Sequence, residues 1–294
     1  MALPAYSTFS QRLWHYTYLA ICAVVLFFLV APLIVVIPLS FAKSPFLHFT
    51  PEFLRLDPEA FSLRWYRIMI GDCSAPDITT VCSDRWKDGA RNSLFIAVCA
   101  TFLATTLGTL ASLALSRVYT PFRRTLMAIM ISPLIVPLII TASGMFMFFA
   151  KFQLVATFTG MIIAHTVLGI PFVVITVTAT LISFDHNLTR AASGLGGTPF
   201  YNFFKIQVPL ITPGVVAGGL FAFITSFDEV VLIYFIADAA QKTIPIQMWS
   251  GLRQQISPSI LAVATMLVAF SIVLLIAIEM LRRRSERLRT SLPS

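Results

Sequence analysis

Long apolar stretches alternate with short polar segments along this chain. A helix that crosses a membrane needs about 20 predominantly apolar residues. Six stretches reach that length and are predicted as spans at 16–40, 92–116, 124–149, 155–182, 211–236 and 259–281. The runs are continuous and do not alternate apolar with polar residues, which excludes a spanning barrel. Prolines at 133 and 137 predict a kink in the third span. We therefore predict an all-α membrane protein with six transmembrane helices.

Composition supports this fold class. The chain has 294 residues, of which 57% are hydrophobic and 12% are charged, whereas soluble domains carry about 25% charged residues. The rule that relates length to domain number applies to soluble proteins, so we expect one transmembrane domain over 1–294. The first apolar run is too long for the core of a signal peptide and is predicted to be a retained span.

The distribution of positive charge predicts the orientation in the membrane. With a cytoplasmic N-terminus, the cytoplasmic segments carry eleven Lys and Arg residues against two acids, Asp185 and Glu286. Such an excess of cations is the ordinary signal for the cytoplasmic side. We therefore expect both termini in the cytoplasm. The net charge of +8 is then explained by the orientation in the membrane, and no nucleic-acid partner is required to explain it.

The segment 41–91 is predicted to lie outside the cytoplasm and is electrically neutral, with seven Lys or Arg and seven Asp or Glu residues. Its stretch 61–70 mixes aromatic, cationic and apolar residues. This pattern fits an amphipathic helix at the membrane surface or a segment packed on the protein's own outer surface. Cys73 and Cys82 also lie here, and an oxidising compartment would allow them to form a disulfide.

The polar segment 185–209 separates two apolar runs. Asp185 can cap a helix, glycines at 194, 196 and 197 allow a tight turn, and Pro199 can begin a second helix. The pattern predicts a helix, a turn, a short aromatic helix and a return to the membrane. Aromatic residues exposed in the cytoplasm favour a protein interface, although a surface helix under the lipid headgroups would show the same pattern.

This segment resembles the E-A-A-x3-G-x9-I-x-L-P signature of permease subunits from binding-protein-dependent ABC importers. Five positions match at the expected spacing: Ala191, Ala192, Gly196, Ile206 and Pro209. Arg190 replaces the glutamate of the signature and Val208 replaces its leucine, so the signature's charge at position 190 is reversed. The resemblance covers about 90–282. Segments 228–231 and 243–250 look most like the polyamine branch, while iron(III) and aminophosphonate permeases share parts of that pattern.

The resemblance implies a type I importer permease in a bacterial inner membrane. Such a subunit pairs with a second, related permease. Two ATPase subunits bind from the cytoplasm, and a periplasmic binding protein delivers a small polar solute, here a polyamine such as spermidine or putrescine. The five matched residues are implied to couple the chain to the ATPase. The chain has no phosphate-binding loop and no catalytic motif, so ATP and Mg²⁺ are expected on the partner and no cofactor or enzyme activity on this chain.

Asp228 and Glu229 lie side by side within the apolar run 211–236. An acid in a span costs about 2.5–3.5 kcal/mol, so either a cationic substrate or a structural partner is expected to compensate. Adjacent helical positions point about 100° apart, and we expect one acid to line the path and the other to be structural.

His165 is predicted to be a hydrogen-bonded core residue. A secondary transporter is the alternative from another class, although the sequence shows no obvious inverted repeat.

Overall fold

A computed structural model describes residues 8–70, 72, 85–117, 119–254 and 258–290. Within these ranges the chain is helical, and no β-strand is formed. The α-helices are α1 (Phe9–Leu39), α2 (Pro51–Leu54), α3 (Arg64–Ile70), α4 (Arg85–Leu115), α5 (Arg123–Ile135), α6 (Leu138–Lys151), α7 (Phe158–Ile182), α8 (His186–Gly194), α9 (Pro199–Asn202), α10 (Val208–Phe227), α11 (Val231–Ile236), α12 (Ile244–Gln254) and α13 (Pro258–Thr290). Short 3₁₀ turns lie at Pro58–Ala60 and Ala239–Gln241, and a π-helical turn at Phe203–Gln207. The chain divides into two compact units, one formed by Met1–Ser83 with Gly251–Ser294 and the other by Asp84–Ser250.

In the first unit, the segment 61–70 packs on protein. Trp65 in α3 is 3% exposed, and its indole N–H donates to the main-chain oxygen of Ala42 at 2.8 Å. The hydroxyls of Tyr66 and Ser40 lie 2.6 Å apart, and α3 contacts α13. The structure thus favours a segment packed on the protein over a helix in the lipid surface. Cys73 and Cys82 lie outside the described residues, so their disulfide stays a prediction.

The second unit is built around α4, α7 and α10, which pack against one another. Small residues bring α10 close to α7. A Cβ atom added at Gly218 would lie 2.7 Å from the Cα atom of Val173, and one at Gly214 would lie 3.0 Å from the main-chain oxygen of Thr176. Gly214 and Gly218 therefore permit the close packing of α10 against α7 that small residues allow between membrane helices, and α7 belongs to the same chain.

The third predicted span, 124–149, is not one continuous helix. It consists of α5 and α6, whose axes are bent by 103° at their junction. Val136 between them is extended, with φ −70° and ψ 134°. The ring of Pro137 disfavours helical backbone at the residue before it. The structure thus has a sharp break between two helices where the prolines predict a kink, and whether the pair crosses the membrane as one span stays a prediction.

The fifth predicted span, 211–236, also needs correction. Helix α10 ends at Phe227, and α11 begins only at Val231. The side chain of Glu229 accepts hydrogen bonds from the first main-chain N–H groups of α11. In an unbroken helix these groups would bond to carbonyls one turn earlier, so the carboxylate stabilises the break.

The number of spans stays a prediction. By length and composition, four described helices are long and apolar enough to cross a membrane, or five if the bent pair counts as one span. The four are Phe9–Leu39, Arg85–Leu115, Phe158–Ile182 and Pro199–Phe227. A shorter apolar helical segment, Pro258–Val273, overlaps the sixth predicted span, 259–281, and α13 extends beyond that span to Thr290.

Candidate functional site

The loop between α7 and α10 forms the predicted helix, turn and short helix. Asp185 Oδ1 caps α8 by accepting a hydrogen bond from the main-chain N–H of Asn187 at 2.9 Å. Thr198 Oγ1 caps α9 by accepting from the N–H of Tyr201 at 3.3 Å, and Pro199 occupies the first turn of α9. Both helices begin where local side-chain chemistry can satisfy free N–H groups.

Two glycines shape the turn between α8 and α9. Gly196 adopts φ +86°, a left-handed conformation that other residues rarely adopt. Gly197 is in close contact, because a Cβ atom there would lie 2.6 Å from Asn202 Oδ1 and 2.8 Å from the main-chain oxygen of Ala192. Larger side chains at either position would therefore open the turn.

The five residues that match the importer signature fall into two groups. Ala191 and Ala192 lie in the second half of α8 and Gly196 in the turn, where the N–H of Leu195 bonds to the oxygen of Ala191 at 3.1 Å. Ile206 lies in the π-helical turn and Pro209 in the first turn of α10. The first three residues thus build one compact turn, and the last two lie at the start of the next long helix.

Apolar side chains are exposed around this turn. Leu195 is 90% exposed and Phe200 is 79% exposed, and Tyr201 and Phe204 are exposed as well. Arg190 on α8 also lies on the surface. Clustered large apolar side chains on a surface mark sites of interaction with proteins or membranes.

The two adjacent acids have different surroundings. Asp228 directly follows the last residue of α10 and is exposed. Glu229 is 7% exposed, and its Oε1 atom accepts hydrogen bonds from the N–H groups of Val231 at 2.6 Å and Leu232 at 3.0 Å. The carboxylate of Glu229 is therefore engaged in capping α11, while that of Asp228 is accessible in this chain.

A buried hydrogen bond links α7 to α10 just before the acids. The Nδ1 atom of His165 lies 2.8 Å from Ser226 Oγ, and both residues are buried. This arrangement is the hydrogen-bonded core histidine expected from the sequence. Ser226 was not anticipated, because a serine in an apolar run gives no signal of its partner.

The start of α4 is tied to the segment after α11. Asn92 Nδ2 donates to the main-chain oxygens of Ala240 at 2.9 Å and Lys242 at 3.0 Å. Ser93 Oγ accepts from the N–H of Ile244 at 2.9 Å. These bonds hold the irregular segment after α11 against the N-terminal part of α4.

Comparison with known families identifies the chain. The family described as "Binding-protein-dependent transport system inner membrane component" matches residues 85–287, well over half of the sequence. The chain belongs to this family. It is therefore a permease subunit of an ABC importer and a multi-pass component of the inner membrane, and its role is transport.

Named relatives resemble this permease over most of its length. It is 30% identical over 272 residues to the putrescine transport system permease protein PotI of Escherichia coli K12, covering 89% of this chain and 90% of the relative. It is 28% identical over 256 residues to the spermidine/putrescine transport system permease protein PotC of the same organism, covering 87% and 90%. It is also 30% identical over 163 residues to the sulfoquinovosyl glycerol transport system permease protein SmoH of Agrobacterium fabrum, covering 54% and 57%.

A solved structure confirms the fold. The permease matches a chain in the crystal structure of a bacterial ABC transporter involved in the import of the acidic polysaccharide alginate, with a TM-score of 0.68 and 15% identity. The match covers 95% of this permease and 99% of that chain. The all-helical type I permease fold is therefore shown, and the roles of the loop residues and of Asp228 and Glu229 stay predictions.

Proposed function

We propose that this permease forms half of the path of an ATP-driven importer for a polyamine such as spermidine or putrescine. The observation that carries the proposal is similarity over 87–89% of this chain to two permeases named for those solutes. The relative named for sulfoquinovosyl glycerol matches only 54% of this chain. An iron(III) or aminophosphonate importer is the alternative within the same class.

The surroundings of the two acids support a cationic solute. Glu229 is occupied with the N–H groups that begin α11, whereas Asp228 is exposed where α10 ends. A carboxylate among apolar helices is costly unless a positive charge or a polar path compensates. We assign Asp228 to the solute path, where it attracts an ammonium group, and Glu229 to structure.

The loop supports docking of an ATPase. Its residues Ala191, Ala192, Gly196, Ile206 and Pro209 frame α9, whose neighbouring aromatic side chains are exposed. In the proposed complex, α9 inserts into a groove of a cytoplasmic ATPase that binds ATP and Mg²⁺. Two such ATPases, a second homologous permease and a periplasmic binding protein complete the importer, with both termini of this chain in the cytoplasm.

The test is purification of the tagged permease from its native membrane, with its partners identified by quantitative mass spectrometry. We expect an ATPase at about two copies per complex, as the importer arrangement requires, together with a second permease. The purified complex in proteoliposomes should take up radiolabelled spermidine or putrescine only when ATP and the binding protein are present. Uptake by the chain alone without ATP would instead establish a secondary transporter.

Site variants then separate the two acids. Asp228→Asn should raise the apparent KM for spermidine, while Glu229→Gln, which keeps an acceptor oxygen, should leave KM unchanged. If neither variant changes KM, the substrate role is wrong. ATP-dependent uptake of a different solute, with no uptake of polyamines, would retain the importer and reject the polyamine.

A further inference from the structure

A buried amide joins α8 and α9, the two short helices of the loop between α7 and α10. Asn202 ends α9 and is 6% exposed. Its Nδ2 atom donates to Ser193 Oγ at 2.9 Å and makes two longer hydrogen bonds, each 3.5 Å, to the main-chain oxygens of Thr189 and Gly197. Two of these acceptors lie on α8 and the third in the turn, so one side chain connects α9 to both.

The turn is built closely around this amide. The N–H of Gly197 donates to the oxygen of Ala192 at 2.9 Å, and a Cβ atom at Gly197 would collide with Asn202 Oδ1. Ser193 Oγ in turn donates to the oxygen of Thr189 at 2.9 Å. The amide, the hydroxyl and the turn thus form one connected set of hydrogen bonds across the loop.

The chemistry of this position argues for a geometric role. Asn202 Oδ1 is buried and has no hydrogen-bond partner among the described residues. A buried oxygen without a partner is destabilising, and an aliphatic side chain would fill the same space without that penalty. The amide forms a directional hydrogen bond between α9 and α8, which an aliphatic side chain cannot form.

We propose that Asn202 is a positioning residue that fixes the direction of α9 relative to α8. The proposal rests on the docking of an ATPase at this loop. When the ATPase moves Phe200 and Tyr201 on α9, the Asn202 link transmits the movement to α8. Without the link, the glycine turn at 195–198 would bend and absorb part of the movement.

The link itself is tested by hydrogen exchange on the full chain in lipid nanodiscs. Asn202→Ala should speed exchange of the amides in 195–201 by about three- to tenfold, the factor expected for the loss of one net hydrogen bond. Exchange in α10 should not change. Asn187→Ala is the matched control, because Asn187 lies in the same loop and is exposed. Unchanged exchange in 195–201 would overturn the link, and this measurement needs neither substrate nor ATPase.

The role in coupling is tested on the complete importer in proteoliposomes, with radiolabelled spermidine as the probe. We expect Asn202→Ala to recruit the ATPase as the wild type does and to take up about three- to tenfold less spermidine per ATP hydrolysed, if transmission depends on that one bond. Normal uptake per ATP would overturn the positioning role. Loss of ATPase recruitment would also overturn it, because Asn202 would then hold the docking surface.

A second variant tests whether the effect of Asn202→Ala comes from the lost hydrogen bond or from misfolding. Ser193→Ala removes the strongest acceptor of the amide from an exposed position on α8 and should show a smaller defect of the same kind. If both substitutions remove the same bond, the double variant should be no worse than Asn202→Ala. Additive losses would overturn the assignment. Failure of the proposed function is distinct, since the wild-type complex itself would then lack an ATPase or would not take up spermidine.

Discussion

Replacement of Glu229 gives a sharp test of the break between α10 and α11. Its Oε1 atom accepts from two main-chain N–H groups, those of Val231 and Leu232. Glu229→Ala removes both bonds and leaves two N–H donors at a poorly hydrated helix start. A lost cap costs about 0.5–2 kcal/mol, and each buried donor without a partner costs about 1–3 kcal/mol. Because these terms overlap, we expect a loss of about 2–4 kcal/mol from the two donors together.

Glu229→Gln separates the acceptor from the charge. An amide oxygen can replace Oε1 and accept the same bonds, so we expect a loss below about 1 kcal/mol, within the range of a single altered hydrogen bond. Asp228→Asn is the matched control, since it makes the same chemical change at the exposed neighbouring residue. Its stability should equal that of the wild type.

The assay is thermal unfolding of the purified permease in detergent. A loss of 1 kcal/mol lowers Tm by about 2–4 °C in chains of 150–250 residues, so a loss of about 2–4 kcal/mol in Glu229→Ala should lower Tm by about 4–16 °C by the same scaling. Equal Tm values for Glu229→Ala and the wild type would refute the capping role. If Glu229→Gln is as unstable as Glu229→Ala, the charge rather than the acceptor stabilises the break.

Three further predictions concern other parts of the chain. Asn92→Ala loses two hydrogen bonds to main-chain oxygens and should cost about 1–3 kcal/mol; unfolding at the wild-type Tm would contradict this. Gly218→Ala places a Cβ atom 2.7 Å from the backbone of α7 and should cost about 1–3 kcal/mol by overpacking. The control Gly144→Ala meets no atom within 4 Å, and equal Tm values for the two variants would reject the close packing. Mass spectrometry without reductant should find Cys73 joined to Cys82, and two free thiols would exclude that disulfide.

Local chemistry made the loop predictable. A capping aspartate, glycines that permit a turn and a proline that can begin a helix are readable from neighbouring residues, and α8, the turn and α9 follow that order. Asn202 was not predictable, because its bond to Ser193 depends on the angle between two helices. A polar residue between Tyr201 and Phe203 was the only available signal.

The breaks near Pro137 and Glu229 show where apolar patterns fail. A continuous apolar run predicts a continuous span, yet each run contains residues that stop the helix. At Pro137 the steric effect on the preceding residue was visible, but the size of the bend depends on what the two helices pack against. At Glu229 the acid was noticed as a charge, whereas its main structural effect is to bind N–H groups.

The geometry of α10 explains how the loop and the acids could work together in the proposed importer. Its 20 residues give a length of about 30 Å at 1.5 Å per residue, which matches the apolar thickness of a bilayer. The loop lies at one end of this helix and the Asp228–Glu229 break at the other. Close contacts at Gly214 and Gly218 and the His165–Ser226 bond hold α10 against α7 along this length.

We expect a helix pair held so closely to move as one body, because closely packed interiors resist gradual deformation. We then expect bending in the glycine turn before α9 and in the non-helical residues after Phe227, where the helices are interrupted. A rigid link at Asn202 removes the first of these bending points. Movement of α9 by an ATPase would therefore be transmitted along α10 to the break beside Asp228. The proposed solute path needs to open and close at this break.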